Sequence, residues 1–133
     1  LITFHASSDY ALEAELRIPE LRLINRLRLD TDRPALVRAY AEALRWYGSH
    51  SQALAGRAGG PELVERCEQL LLECNARLAQ YDLNVAQFYR TVKEPAGAEL
   101  HVLRALGYLE QVILEDEQAR AEELLAWATE AKA

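Results

Sequence analysis

The sequence predicts an all-α fold, an antiparallel array or bundle of helical hairpins with a long central helix over residues 61–93. Three observations predict it. Between Pro61 and Lys93 the apolar residues recur by threes and fours without a break. Proline, glycine and capping residues punctuate the rest at short intervals. Almost nowhere do apolar and polar residues alternate as they do in a half-buried strand.

The long stretch comes first because the others are read against it. Leu63, Cys67, Leu70, Cys74, Leu78, Tyr81, Val85, Phe88 and Val92 form one stripe. Leu72, Ala76, Ala79, Leu83 and Ala86 form a second on nearly the opposite side. A helix apolar on two sides needs neighbours on both, so this rod of roughly 50 Å is placed at the centre. The alanines would let one neighbour approach near the lower end of the ~8–10 Å packing range. Pro61 suits a first turn, and Pro95 marks the far end.

From the N-terminus, Leu1 to Phe4 is a short apolar run open to a strand or the tail of another element. Ser7, Ser8 and Asp9 are capping residues, so a short helix is expected over Tyr10 to Arg17. Ile18-Pro19 should interrupt it, with a second segment from Glu20 to Leu29. Asp30-Thr31-Asp32-Arg33-Pro34 is a start signal for a helix carrying Leu36, Tyr40, Ala43, Leu44 and Tyr47, closed by Gly48. A further short helix would run from Ser51 to Arg57, and Ala55 to Gly60 is the best internal hinge. Beyond the rod, a helix is expected over Ala98 to Leu114. Glu115-Asp116-Glu117 then forms a break or kink before a last amphipathic helix with Ala121, Leu124, Leu125 and Ala128. Six or seven helices result.

At 133 residues the chain is expected to be one domain, trimmed or excised from a longer chain because no methionine begins it. A net charge of −6 and the lack of a basic cluster argue against nucleic acid. No run of eighteen apolar residues marks a membrane span. The charge is uneven. Arg17 to Arg45 holds seven arginines against four acids, whereas Glu94 to Ala133 holds nine acids against three bases. The two ends are solvated or face each other, unless the basic end docks an acidic partner. Cys67 and Cys74 stand two helical turns apart, too far for a disulfide, and read as small core residues. Lone thiols favour a reducing, cytoplasmic compartment.

Val85 and Ala86, Tyr89 three on, Ala98 nine further, then Val102 and Ala105, follow the spacing of one tetratricopeptide repeat over about residues 79–112. The run from Arg77 to Tyr89 is also similar to a long helix of the tetratricopeptide lipoproteins of the outer-membrane β-barrel assembly machinery. Shifting by thirty-four residues loses the pattern, so the resemblance covers one repeat. It implies a ligand surface on the concave side of the first helices, with Gln80, Leu83, Gln87 and Arg90 in the groove and Asn84 beside them. Amides there would bond a peptide backbone, and Arg90 would pair with a carboxylate. Leu83 and Gln87 stand where the clamp for chaperone C-termini has asparagine and lysine, so chaperone-tail binding is not expected.

Catalytic signatures are sparse. Arg45 and His50 have the Arg-x4-His spacing of HEPN ribonucleases, with Trp46 where those enzymes carry a polar residue. No His-x3-His or Cys-x2-Cys pair offers a metal site, and no glycine-rich phosphate loop follows a strand. His101 has no carboxylate at i+3 or i+4. The expectation is a non-enzymatic interaction domain without a cofactor, binding a peptide, a partner helix or its own copy along the central helix. A helical small-molecule sensor, with an internal pocket lined by Tyr40, Leu44, Cys74 and Leu78, is the alternative, and a HEPN-type nuclease the second.

Overall fold

A computed structural model describes residues 2–25 and 33–133, with side chains described from 10 to 24 and from 33 onward. Five helices occupy them: α1 (Ile2–Asn25), α2 (Arg33–Ala55), α3 (Gly60–Thr91), α4 (Pro95–Leu109) and α5 (Glu115–Lys132). No strand occurs among the described residues. The all-α expectation holds, with α3 as its long central helix of 32 residues, about 48 Å from end to end. The chain divides into two compact units, Leu1–Cys74 and Asn75–Ala133, and the boundary falls inside α3.

In the first unit, Leu16 and Leu23 of α1, Leu36, Ala39, Ala43, Trp46 and Leu54 of α2, and Cys67, Leu70 and Cys74 of α3 are buried. The Trp46 indole N–H donates to the Leu12 carbonyl at 2.9 Å, which satisfies the one polar atom of a buried ring. Cys67 donates its thiol to the Ala43 carbonyl at 3.3 Å. Two expected breaks are absent. α1 runs straight through Pro19, whose ring is wholly buried. An interior proline costs about 3 kcal/mol. Burial of Leu16 and Leu23 on either side, with the Arg22–Glu42 ion pair at 2.6 Å, offsets it. α2 likewise continues past Gly48 because Leu54, three turns from Ala43, is anchored in the core. The cap at Asp30 to Asp32, the Leu27 to Leu29 periodicity and the side chains of Ser7 to Asp9 lie outside the described residues.

Gly59, at φ 76°, and Gly60 make the turn into α3. A Cβ on Gly60 would overlap the Leu54 carbonyl oxygen, so only glycine fits where the end of α2 closes on the start of α3. Of the stretch expected as a hinge, residues 55–59 are exposed and Gly60 is the one held against α2.

The second unit has a core of small side chains. Ala79, Leu83 and Ala86 of α3 pack with Ala98, Val102, Ala105 and Leu109 of α4 and Ala121, Leu124 and Ala128 of α5. At the α3–α4 turn Glu94 N–H donates to the Tyr89 carbonyl at 2.8 Å and Lys93 N–H to that of Arg90 at 3.1 Å. This is a Schellman closure, with Lys93 at φ 61° where glycine is usual. α4 ends at Leu109, five residues before the expected Leu114, because Val112 and Leu114 turn back onto the core. Glu115, Asp116 and Glu117 form the first turn of α5, where carboxylates suit the positive end of the helix dipole.

Each apolar stripe of α3 is buried over only half its length. The first is covered at Cys67, Leu70, Cys74 and Leu78, half-covered at Tyr81 and Val85, and exposed at Phe88 and Val92. The second runs the other way, exposed at Leu72 and covered at Ala79, Leu83 and Ala86.

Candidate interaction surfaces along the long helix

The row expected to bind a partner lies on the second half of α3, and α5 already engages much of it. Leu83 is a correction: it is wholly buried in the core, so it presents nothing to a partner. The leucine at a groove-facing position of the repeat pattern packs inward because the second stripe is the buried one here. Gln80 donates to Glu117 Oε1 at 3.3 Å, and Asn84 Oδ1 accepts from Arg120 Nη2 at 3.1 Å. Arg90 Nη1 lies 3.4 Å from Glu123 Oε1, with its guanidinium 5.7 Å from the centre of the Trp127 ring. Gln87 is exposed beside them. Mixed charge and few apolar atoms make this a polar seam.

Behind the seam stands a cluster that the local spacing did not reveal. His101 Nδ1 lies 2.8 Å from Asp82 Oδ1, the carboxylate fully buried and the ring nearly so. Tyr89 stacks on the His101 ring at 5.6 Å. A Cβ on Gly97 would come within 2.7 Å of the Tyr89 ring, so glycine lets that ring lie flat on α4. Asp82 and His101 sit nineteen residues apart on different helices, and no motif links them. The cluster pins α3 to α4 from the inside.

The first half of α3 is different. Between it and α1 runs an open groove of about 760 Å³, within the first unit. Leu21, Leu23 and Ile24 of α1 and Leu70 of α3 supply its apolar lining. Leu21 is 47% exposed and Ile24 58%. A shallower groove of about 330 Å³ continues along α1 past Ile18 and Ala14 to Tyr10, itself 73% exposed. On the α3 side the wall carries Glu62, Glu65, Gln69 and Glu73. Arg66 crosses the floor to Glu20 Oε1 at 2.7 Å and Glu13 Oε1 at 3.1 Å. The Glu20 hydrogen bond leads in raising the Arg66 pKa above its ordinary value. Apolar residues at 10, 14, 18, 21 and 24 form a helical stripe, a signal present in the sequence but hidden by the break assumed at Pro19.

No protein-family model, curated protein or solved structure matches this chain. The surfaces therefore have to be read from their own chemistry.

Among the described residues no three His, Cys, Asp or Glu side chains gather as a metal site. Burial pushes the Cys67 thiol from 9.0 up to about 11, so it stays protonated and a poor nucleophile. Arg45 and His50 both lie within α2, not on either side of a cap. Five residues apart on one helix, they point about 140° away from each other. His50 Nε2 instead faces Glu15 Oε2 at 3.4 Å, with its ring edge-on to Trp46. Of the residues suggested for a sensor pocket, Leu44 is 45% exposed, whereas Cys74 and Leu78 are each wholly buried. None of the helices is long and apolar enough to cross a membrane among the described residues.

Proposed function

We propose that this is a non-enzymatic protein-interaction domain that takes a partner helix along its central helix, in the groove between α1 and the first half of α3. One observation carries the reading. An open groove whose α1 side exposes Leu21 and Ile24, in line with Ile18 and Tyr10, leaves a helix-length apolar stripe in water. Contiguous apolar patches of this kind mark interaction sites. A helix laid in such a groove covers the stripe with residues spaced by threes and fours. Helical walls are already rigid, so little ordering is required of this chain. The repeat-like packing of Ala86, Tyr89, Ala98, Val102 and Ala105 supports a helical-repeat scaffold, whose role is to hold such a surface in place.

The test uses a fluorescein-labelled amphipathic helical peptide with uncharged glutamine flanks, read by anisotropy against the whole chain. Binding that weakens at least tenfold in a Leu21→Ser/Ile24→Ser variant of unchanged helix content supports the reading. No binding by any amphipathic helix overturns it. Equal binding by the variant places the site elsewhere and overturns it too.

A further inference from the structure

We infer that the occupant of the α1–α3 groove is a basic amphipathic helix of about three turns, its apolar stripe on α1 and its lysines or arginines along α3. The inference rests on the interaction reading and adds the chemistry of the partner. Its argument is charge complementarity along a wall of helical pitch. Glu62, Glu65, Gln69 and Glu73 follow one another at intervals of three or four, about 16 Å from first to last. That is the repeat of side chains on an opposing helix lying alongside.

Glu62 and Glu65 are exposed and make no ion pair among the described residues. Arg66 does not neutralise them, because its guanidinium is held by Glu20 and Glu13 across the groove. With Glu13 and Glu20 taken up by Arg66, Glu62 and Glu65 stand as exposed carboxylates on the α3 wall opposite the α1 stripe. A partner with acidic flanks would set carboxylates against this wall, and like charges at close range are costly. Basic flanks turn the same wall into a source of steering and register. The long methylene stems of lysine and arginine would also lie over Leu70 while their charged ends reach the glutamates.

Three labelled eighteen-residue peptides test this, identical in their leucine stripe and differing only in lysine, glutamine or glutamate flanks. The lysine peptide is expected to bind at least tenfold more tightly than the glutamine peptide, and the glutamate peptide most weakly. A tenfold ratio corresponds to about 1.4 kcal/mol, shared between the charge pairs at Glu62 and Glu65. Glu62→Gln/Glu65→Gln should bring the lysine peptide down towards the affinity of the glutamine peptide, with the helix content of the protein unchanged. Raising the salt concentration to about 0.5 M should narrow the same gap.

If the three peptides bind alike, yet all depend on Leu21 and Ile24, the basic partner is overturned and the interaction reading stands. If none binds, both fall. A dimer seen by light scattering and abolished by Leu21→Ser/Ile24→Ser makes a second copy the occupant and overturns the basic partner.

Discussion

The two halves of α3 are built from one continuous helix, yet they use their apolar residues differently. In the second half, alanines at 79 and 86 with Leu83 between them let α4 and α5 close in, and the unit seals its own core. In the first half, Cys67, Leu70 and Cys74 bury one stripe, but α1 keeps Ile18, Leu21 and Ile24 in water beside an acidic wall. Small side chains permit close approach among the three helices, while Phe88, Val92, Leu100 and Leu103 stay exposed on their outer faces without lining a groove of the size seen beside α1. Large ones on a helix with an unoccupied flank leave a groove. The contrast separates a part where small residues close three helices together from a part whose open groove is the proposed docking surface.

The largest expected effect breaks that contrast directly. Leu83→Ala should cost about 3 kcal/mol in urea unfolding, since it opens a cavity in a core with few large residues. Leu21→Ala should change stability by no more than about 0.5 kcal/mol, because that side chain is half in water. Similar costs for the two would mean that the α1 stripe is covered in solution.

His101→Ala comes next. It removes both a hydrogen-bond partner of a buried carboxylate and the face on which Tyr89 stacks, and should cost about 2 kcal/mol in the same assay. A smaller loss, within a few tenths, would show that Asp82 is served equally well without it. Lys93→Gly should act the other way, stabilising by about 0.5–1 kcal/mol, because it relieves a left-handed residue at the helix C-terminus. The melting temperature would report it.

The smallest effect is chemical. With the Cys67 thiol held at about 11 against 9.0 for an exposed one, the folded state keeps its proton while the unfolded state loses it. The group's contribution is therefore full below pH 9 and declines as pH climbs from about 9 to about 11. A thiol reagent at pH 8 should accordingly leave Cys67 unmodified until the protein is unfolded.

The helical class and the rod from Pro61 to Lys93 were legible because a period of three to four over so long a stretch has few other readings. Its second stripe was legible as well, but not that each stripe would be covered for only half its length. Burial depends on which helix arrives, and sequence spacing does not tell that. Leu83 shows the consequence: its place in a repeat pattern put it in a groove, and its neighbours took it into the core. Pro19 and Gly48 misled in a related way, since local breakers were overruled by residues anchored on either side of them. With α1 cut at Pro19, the stripe from Tyr10 to Ile24 falls into two short pieces, neither long enough to mark a helical face. Asp82 and His101 gave no local signal, because the contact is made between helices.

Amide chemical shifts recorded while the lysine-flanked peptide is titrated into the whole chain test the central claim most directly. The account predicts that the perturbed residues are Leu21, Ile24, Glu62, Glu65 and Gln69, with Ala79 to Ala86 and Trp127 unmoved. Shifts gathered instead at Gln87, Arg90 and Trp127 would contradict it, returning the docking surface to the second half of α3.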